Sequence, residues 1–503
     1  MILFFMIVTR FPPSPTGPLH IGSIRTALYS YLLAKQNNGT FILRIEDTDR
    51  TRFVEWASDN FLRLLKLFGC TPDEWYGIGG PNWPYVQSER IEFYQKHLHK
   101  MVADGFAYYC FATIEEVETD RAEKEALWLP THFQSKDREL PYDEARARVD
   151  AGESYSIRLK VPKGEKIIFD DMIRGRLEFA TNEVEDQVLL KTDGIPTYHG
   201  AVVLDDYAMK VTHMFRGEEW ISSIPKQVLT ARALGIELPR YGHLPLILGT
   251  DRKKLSKRNG DVSVDNFLEK WYLVEAIINY IALLGWNPKT TEEFFTLSDL
   301  IERFDVANIQ KAGAIFDMEK LTWMNGKYIA KLSRDELYDR LDAYLKQYQN
   351  EYASTTWISF DREYHLKVIA EVGMRLPTLS QFSELSKCCY IRPEHYVLET
   401  FCNEKMKVTS VEEVLMAIDF ARDILTAFPH ASAEELQKQF LEKIASSGLK
   451  NGQILYPVRV ALSGEQFSPG AFELISILGM SESLARLNGA YNFLKSSYEL
   501  PRT

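Results

Sequence analysis

The spacing of apolar residues changes period twice near the start of the chain. Ile7-Val8-Thr9 is a β-branched run and predicts a strand, and beyond a proline-rich segment Ile24, Ala27, Leu28, Tyr31 and Leu32 recur at i, i+3, i+4, i+7 and i+8, the single stripe of an amphipathic helix. Asn37-Asn38-Gly39 predicts a turn into a strand over 40–45, and 56–68 returns to helical spacing. Strand and helix in alternation predict a parallel sheet. Gly77 to Pro84 predicts a loop, and Gln87-Ser88-Glu89-Arg90 a capped helix start.

Between about 111 and 190 the pattern shifts to a charged helix followed by short strands over 154–161 and 166–171, as expected of an insertion between two halves of a sheet. The alternation returns at Gln187 to Lys191 and continues through Asp193 to Tyr198 and Val211 to Trp220, with Leu244 to Leu248 last. From about 261 to 330 helices and turns alternate; beyond Lys331 the chain predicts helix after helix. The expected division is therefore 1–110 and 191–260 for the two halves of the sheet domain, 111–190 for the insertion, 261–330 for a connecting domain and 331–503 for a helical region.

Length and composition narrow the class. A chain of 503 residues has material for several cores, and 45% hydrophobic with 26% charged residues is ordinary for a globular protein. The formal charge of −11 means that a nucleic-acid partner requires a local basic face. Five cysteines in no framework spacing, two of them adjacent at 388 and 389, point to a reduced, cytoplasmic setting. The apolar opening Met1 to Val8 lacks a basic n-region and a cleavage site, so Met6 reads as the natural start. The longest apolar candidate, Tyr272 to Trp286, is broken by Glu275 and Asn279 and is too short for a membrane span.

The segment from Arg10 to Ser23 carries the first chemistry. Prolines 12, 13, 15 and 18 stiffen it, Gly17 and Gly22 admit a ligand close to the backbone, and the unpaired N–H groups of the following helix start face any anion bound there. Pro13 to Ser23 resembles the HIGH signature of class I aminoacyl-tRNA synthetases. Phe41-Ile42-Leu43-Arg44-Ile45-Glu46-Asp47-Thr48-Asp49 resembles a stretch of the glutamyl-tRNA synthetases, and Lys254-Leu255-Ser256-Lys257-Arg258 resembles the second, KMSKS loop of the class. The Gly-Gly-Pro loop with Tyr85 to Arg90, Asp171-Met172-Ile173-Arg174-Gly175, Lys320 to Ile329 and Tyr456 to Gly470 extend the resemblance to bacterial glutamyl-tRNA synthetases nearly end to end.

That resemblance implies a Rossmann-like parallel-sheet catalytic domain of class I, an α/β insertion binding the acceptor end of tRNA, a stem-contact domain and an α-helical anticodon-binding region. It implies activation of L-glutamate by ATP and transfer to tRNA(Glu), by a monomer. Attack of a carboxylate on the α-phosphate asks for alignment and charge stabilisation, for which His20 and a mobile Lys257 are suited. By resemblance, Gly17, Gly22, Glu219, Trp220, Ile247 and Lys254 join them around ATP, with Mg²⁺ carried by the nucleotide. Arg10 with Tyr198 would hold the side-chain carboxylate of glutamate, Arg216 its α-carboxylate, and Ser14 with Glu46 its ammonium group. Arg216 and Glu46 could instead form a structural ion pair, and Val202 stands where some members carry Asn. The zinc ligands that some members have after the position of Cys110 are missing, so no zinc is expected. Arg375, in Met374-Arg375-Leu376-Pro377, resembles an arginine that reads the third anticodon base.

Other readings compete. An enzyme that also charges tRNA(Gln) shares these motifs; a glutaminyl-tRNA synthetase would end in β-barrels, and a shortened paralogue would lack the helical half. From other classes, an ATP-dependent nucleotidyltransferase would be far shorter, and a non-catalytic tRNA-binding module would have lost His20 or Lys257.

Overall fold

A computed structural model describes residues 6–128, 131–255, 263–352 and 361–498. The chain divides into two compact units, 1–269 with 274–318 and 270–273 with 319–503.

The first unit opens with β1 (Val8–Phe11), α1 (Ile21–Gln36) and β2 (Thr40–Leu43). β1 and β2 pair in parallel, Val8 opposite Thr40 and Phe11 opposite Leu43, and α1 lays Ile24, Ala27, Leu28 and Leu32 into the core as the apolar spacing predicts. β2 is shorter than the expected 40–45, because Ile45 turns away to exchange backbone bonds with Tyr85 and Gln87. α2 (Ala57–Leu67) and α3 (Ile91–Ala103) follow. The helix start at Gln87 has no side-chain cap. Residues Gln87–Arg90 form a 3₁₀ turn whose Gln87 and Arg90 point inward, and the Ser88 amide is satisfied by Asp47 Oδ1 at 2.8 Å.

Residues 107–190 hold β3 (Ala107–Cys110), α4 (Ile114–Ala126), α5 (Tyr142–Asp150), β4 (Ser156–Leu159), the hairpin β5 (Lys166–Asp171) and β6 (Gly175–Ala180), and β7 (Val188–Leu190). β3, β4 and β7 make an antiparallel sheet over a core that includes Leu98, Ile157, Leu159 and Leu189. α4 is the charged helix of the sequence pattern; it buries no residue and holds its start with a Thr113–Glu116 capping box.

The parallel arrangement resumes with α6 (Tyr198–Ala208), β8 (His213–Gly217), α7 (Ile224–Leu234) and β9 (Arg240–Leu244). β8 pairs with β9 with Arg216 opposite His243, and Thr212 bonds to both the N–H and the carbonyl of Val8, bringing the two halves edge to edge. β10 (Ile247–Leu248), α8 (Val264–Glu269), α9 (Val274–Ala282), α10 (Leu297–Arg303) and β11 (Ala314–Ile315) complete the unit. α9 has nine residues, and among the described residues no helix is long and apolar enough to cross a membrane.

The second unit is helical, as its sequence predicts: α11 (Met318–Lys331), α12 (Arg334–Tyr352), α13 (Arg362–Val372), α14 (Phe382–Tyr390), α15 (Leu398–Phe401), α16 (Val411–Ala427), α17 (Ala433–Ser447), α18 (Asn451–Ser463) and α19 (Ala471–Tyr498), the last interrupted at Gly479. Arg486 of α19 is buried, donating to Glu482 and to the carbonyls of Cys388 and Leu462, which ties α19 to α14 and α18.

Candidate active site

The β1–α1 loop walls a cavity of about 990 Å³ in the first unit, at the upper end of the usual range for small-molecule sites. His20 is the N-cap of α1. Its Nδ1 accepts from the Gly22 amide at 3.1 Å, so the neutral ring carries its proton on Nε2, which lies 3.3 Å from Ser23 Oγ. A Cβ on Gly22 would stand 2.9 Å from His20 Cε1; glycine lets the imidazole lie against the helix start. Gly17, at φ +136°, supplies the backbone conformation that turns the loop. All three line the cavity, together with Ser14.

Arg10 reaches the same cavity from β1 with its charge already matched. Its Nε and Nη2 donate to the two carboxylate oxygens of Asp206 at 3.1 and 3.2 Å, leaving Nη1 as the nitrogen for a ligand. Arg44 joins the pair, donating from Nη1 to Asp206 at 2.8 Å and from Nη2 to Glu46 at 2.9 Å. Burial pushes the Glu46 carboxyl above its usual range, and Arg44 and Arg10 offset part of that push. A ligand ammonium beside Glu46 would favour its ionised form. Glu46 and Arg216 do not pair with one another: Arg216 donates from Nε to His243 Nε2 at 2.8 Å and from Nη1 to Tyr198 Oη at 3.0 Å. Arg216 lines the cavity, and its Nη2 is buried without a hydrogen-bond partner. A buried guanidinium N–H left open asks for an acceptor, and a carboxylate supplies one.

Glu219, Trp220, Ile247 and Lys254 line the same cavity. The Trp220 and Tyr198 rings are 4.6 Å apart, and Lys254 Nζ stands 3.8 Å from Glu219 Oε1. Ile247 is a buried residue of β10 that also lines the cavity. Val202 does not line the cavity; with Val203 of α6 it packs against Ala231 of α7. Lys257 lies outside the described residues. Arg375 is exposed in the second unit, in a 3₁₀ turn (Gly373–Arg375), and donates to the Ser468 carbonyl at 3.3 Å. His97 and His99 bond to the Phe93 carbonyl and Tyr109 Oη, and among the described residues no three His, Cys, Asp or Glu side chains are grouped to hold a metal ion.

Four structural partners of the site are not apparent as such in the sequence. Asp205 and Asp206 are adjacent carboxylates near the end of the apolar helix α6, and both are buried. Asp206 fixes Arg10 and Arg44, while Asp205 collects Gln87 at 2.8 Å, Arg90 at 2.9 Å and Tyr94 at 2.8 Å, which accounts for the inward turn of the Gln87–Arg90 segment. The available signal was two acids inside an apolar run, since buried charges must be paired. Asp171 and His243 form the other pair, behind Arg216.

Residues 6–323 match the family described as tRNA synthetases class I (E and Q), catalytic domain, and residues 336–491 match the one described as anticodon binding domain. The chain belongs to the class I tRNA synthetases. Within that family the glutamate–tRNA ligase of Clostridium botulinum (strain Loch Maree / Type A3) is 42% identical over 489 residues, covering 97% of this chain and 98% of that one. The glutamate–tRNA ligase of Carboxydothermus hydrogenoformans is 40% identical over 496 residues, covering 97% and 100%. A crystal structure of a glutamate tRNA ligase from Elizabethkingia meningosepticum, in complex with its amino acid, superposes with a TM-score of 0.88 at 34% identity over 97% of this chain and 100% of that one. A class I tRNA synthetase spends ATP to join an amino acid to tRNA, and the loop, arginines and cavity described above lie inside its catalytic region.

Proposed function

We propose that this protein is a glutamate–tRNA ligase, activating L-glutamate with ATP and passing it to the 3′ end of tRNA(Glu). The observation that carries the reading is the pair of arginines in one cavity beside the His20 loop, with Arg216 Nη2 buried and unanswered. Glutamate has two carboxylates; Arg10 Nη1 with Tyr198 would take the side-chain one, Arg216 the α-carboxylate, and Ser14 with Glu46 the ammonium. Held in this way, the α-carboxylate attacks the α-phosphate of ATP bound along Gly17, Gly22, Trp220 and Ile247, and pyrophosphate leaves. Nε2–H of His20, Lys254 and Lys257 spread the charge that grows on phosphate oxygens. Mg²⁺ would come with the ATP substrate rather than in a protein cage, and would supply neutralisation of the phosphate charge. We assign acceptor-end binding to 111–190, stem contact to 261–330 and anticodon binding to 331–503, in a cytoplasmic monomer with no zinc.

Pyrophosphate exchange with and without tRNA tests this. The expected result is exchange and tRNA charging that depend on glutamate and not on glutamine. Dependence on another amino acid overturns the reading.

Selection between tRNA(Glu) and tRNA(Gln) falls to Arg375. The two tRNAs differ at the third anticodon base, C against G, and a guanidinium anchored on the Ser468 carbonyl accepts a cytosine edge while crowding a purine. Arg375→Gln is expected to relax the preference by roughly 1–3 kcal/mol with little loss on tRNA(Glu), read by parallel charging of both tRNAs. An unchanged ratio removes Arg375 from the argument.

A further inference from the structure

Arg10 and Arg216 line one cavity, but they are held in opposite ways. Arg10 is oriented by a carboxylate, which neutralises it. Arg216 is oriented by an imidazole: its Nε donates to His243 Nε2 at 2.8 Å, across the parallel β8–β9 pair where the two residues are opposite. For that nitrogen to accept, the proton of His243 must sit on Nδ1, and Nδ1 is 2.6 Å from Asp171 Oδ2 at the end of β5. The other carboxylate oxygen is fully committed, receiving the amides of Ile173 at 2.9 Å, Arg174 at 2.8 Å and His243 at 3.3 Å. Asp171 therefore has one oxygen to offer and His243 one tautomer to adopt. The side chains of both are wholly buried.

We propose that Asp171 and His243 are positioning residues for Arg216, fixing the direction of its guanidinium while leaving its positive charge undiminished for the ligand carboxylate. A carboxylate in the place of His243 would orient Arg216 equally well and compete with the ligand for its charge. A neutral imidazole avoids that competition. Neutrality is built in: burial holds the ring below the ordinary histidine range, and of the charged and titratable groups around it the cations Arg216 and Arg174 add to this while Asp171 alone opposes it, with the Tyr241 ring 6.1 Å away. The inference rests on the reading of Arg216 as the holder of the α-carboxylate.

Asp171→Asn tests it in the full-length protein. Three backbone amides still require the amide oxygen, so the new –NH₂ faces His243 Nδ1 and imposes the other tautomer, placing Nε2–H against the Nε–H of Arg216. The expected results are a shift of the His243 ring ¹⁵N signals from the Nδ1–H to the Nε2–H pattern and a roughly 10- to 100-fold loss of glutamate affinity by calorimetry. The analogue whose α-carboxylate is reduced to an alcohol should bind Asp171→Asn as it binds the wild type, and KM for ATP should not move. His243→Asn, which keeps the donor to Asp171 and lacks the acceptor for Arg216, should give the same split between the two ligands. Equal losses for glutamate and the alcohol, or a switched tautomer with unchanged glutamate affinity, overturn the proposal. Arg216→Gln distinguishes the two ways of failing. If it weakens both ligands alike, Arg216 does not hold the α-carboxylate; if it discriminates and Asp171→Asn does not, the relay alone is wrong.

Discussion

Asp206→Ala is expected to cost about 3–5 kcal/mol of stability, because it removes one partner from a buried ionic cluster and leaves the other charges in place. Arg10 and Arg44 both donate to Asp206, at 2.8 to 3.2 Å, and neither guanidinium is reached by solvent to any useful degree. Only Glu46 and, at 3.7 Å, Asp205 remain near Arg44, and Arg10 loses the one carboxylate to which it donates. Urea denaturation measures the loss, and glutamate affinity should fall with it because Arg10 then keeps only the weak contact of Nη2 with Met214 Sδ. Asp206→Asn, equal in shape, isolates the charge. Burial raises the pKa of Asp206, but Arg10 and Arg44 outweigh burial and leave it below its ordinary value. A carboxylate depressed by folding contributes stability that is present above its unfolded pKa, about 3.9, and is lost as pH falls through the folded value. The wild type should therefore lose stability on that acid limb more steeply than Asp206→Asn. Superimposable acid limbs would show that the charge contributes nothing.

His20→Ala is expected to reduce the rate of adenylate formation by about 10²- to 10³-fold with little change in KM for glutamate, the usual loss when one preorganised donor to a developing charge is removed. The donor is defined by the Gly22 amide, which occupies Nδ1 and leaves the proton on Nε2 of a residue that lines the cavity. His20 is also a helix cap, and losing a cap costs about 1 kcal/mol. The two roles separate in one experiment, since a cap alone predicts a lowered Tm with an unchanged kcat and a charge donor predicts the reverse emphasis. An unchanged exchange rate would leave His20 as a cap.

What the sequence disclosed and what it withheld divide by distance along the chain. The β1–α1 loop was legible because its parts are neighbours: His20 caps a helix that begins one residue later, and Gly22 and Gly17 serve the same turn. The parallel order of strands and helices and the helical second unit were legible for the same reason, since period and turn residues are local. Strand ends were not: β2 stops at Leu43 because Ile45 finds partners at Tyr85 and Gln87, forty residues on. The partners of Arg10, Arg44 and Arg216 were hidden more deeply. Asp206 is 196 residues from Arg10, and Asp171 is 72 residues from His243, and no spacing rule spans such gaps. Arg10 and Arg216 read as equivalent carboxylate holders in the sequence; only the fold shows one neutralised by Asp206 and the other kept charged by a histidine.

The long reach of Asp206 also has a meaning in time. During synthesis Arg10 and Arg44 emerge 196 and 162 residues ahead of the carboxylate that secures them. At about 5–20 residues per second, Arg10 waits roughly 10–40 s. Throughout that interval Arg10 has no Asp206 to pair with, and Arg44 has only its neighbour Glu46. The cluster that shapes the binding cavity can close only after the second half of the catalytic region has been made.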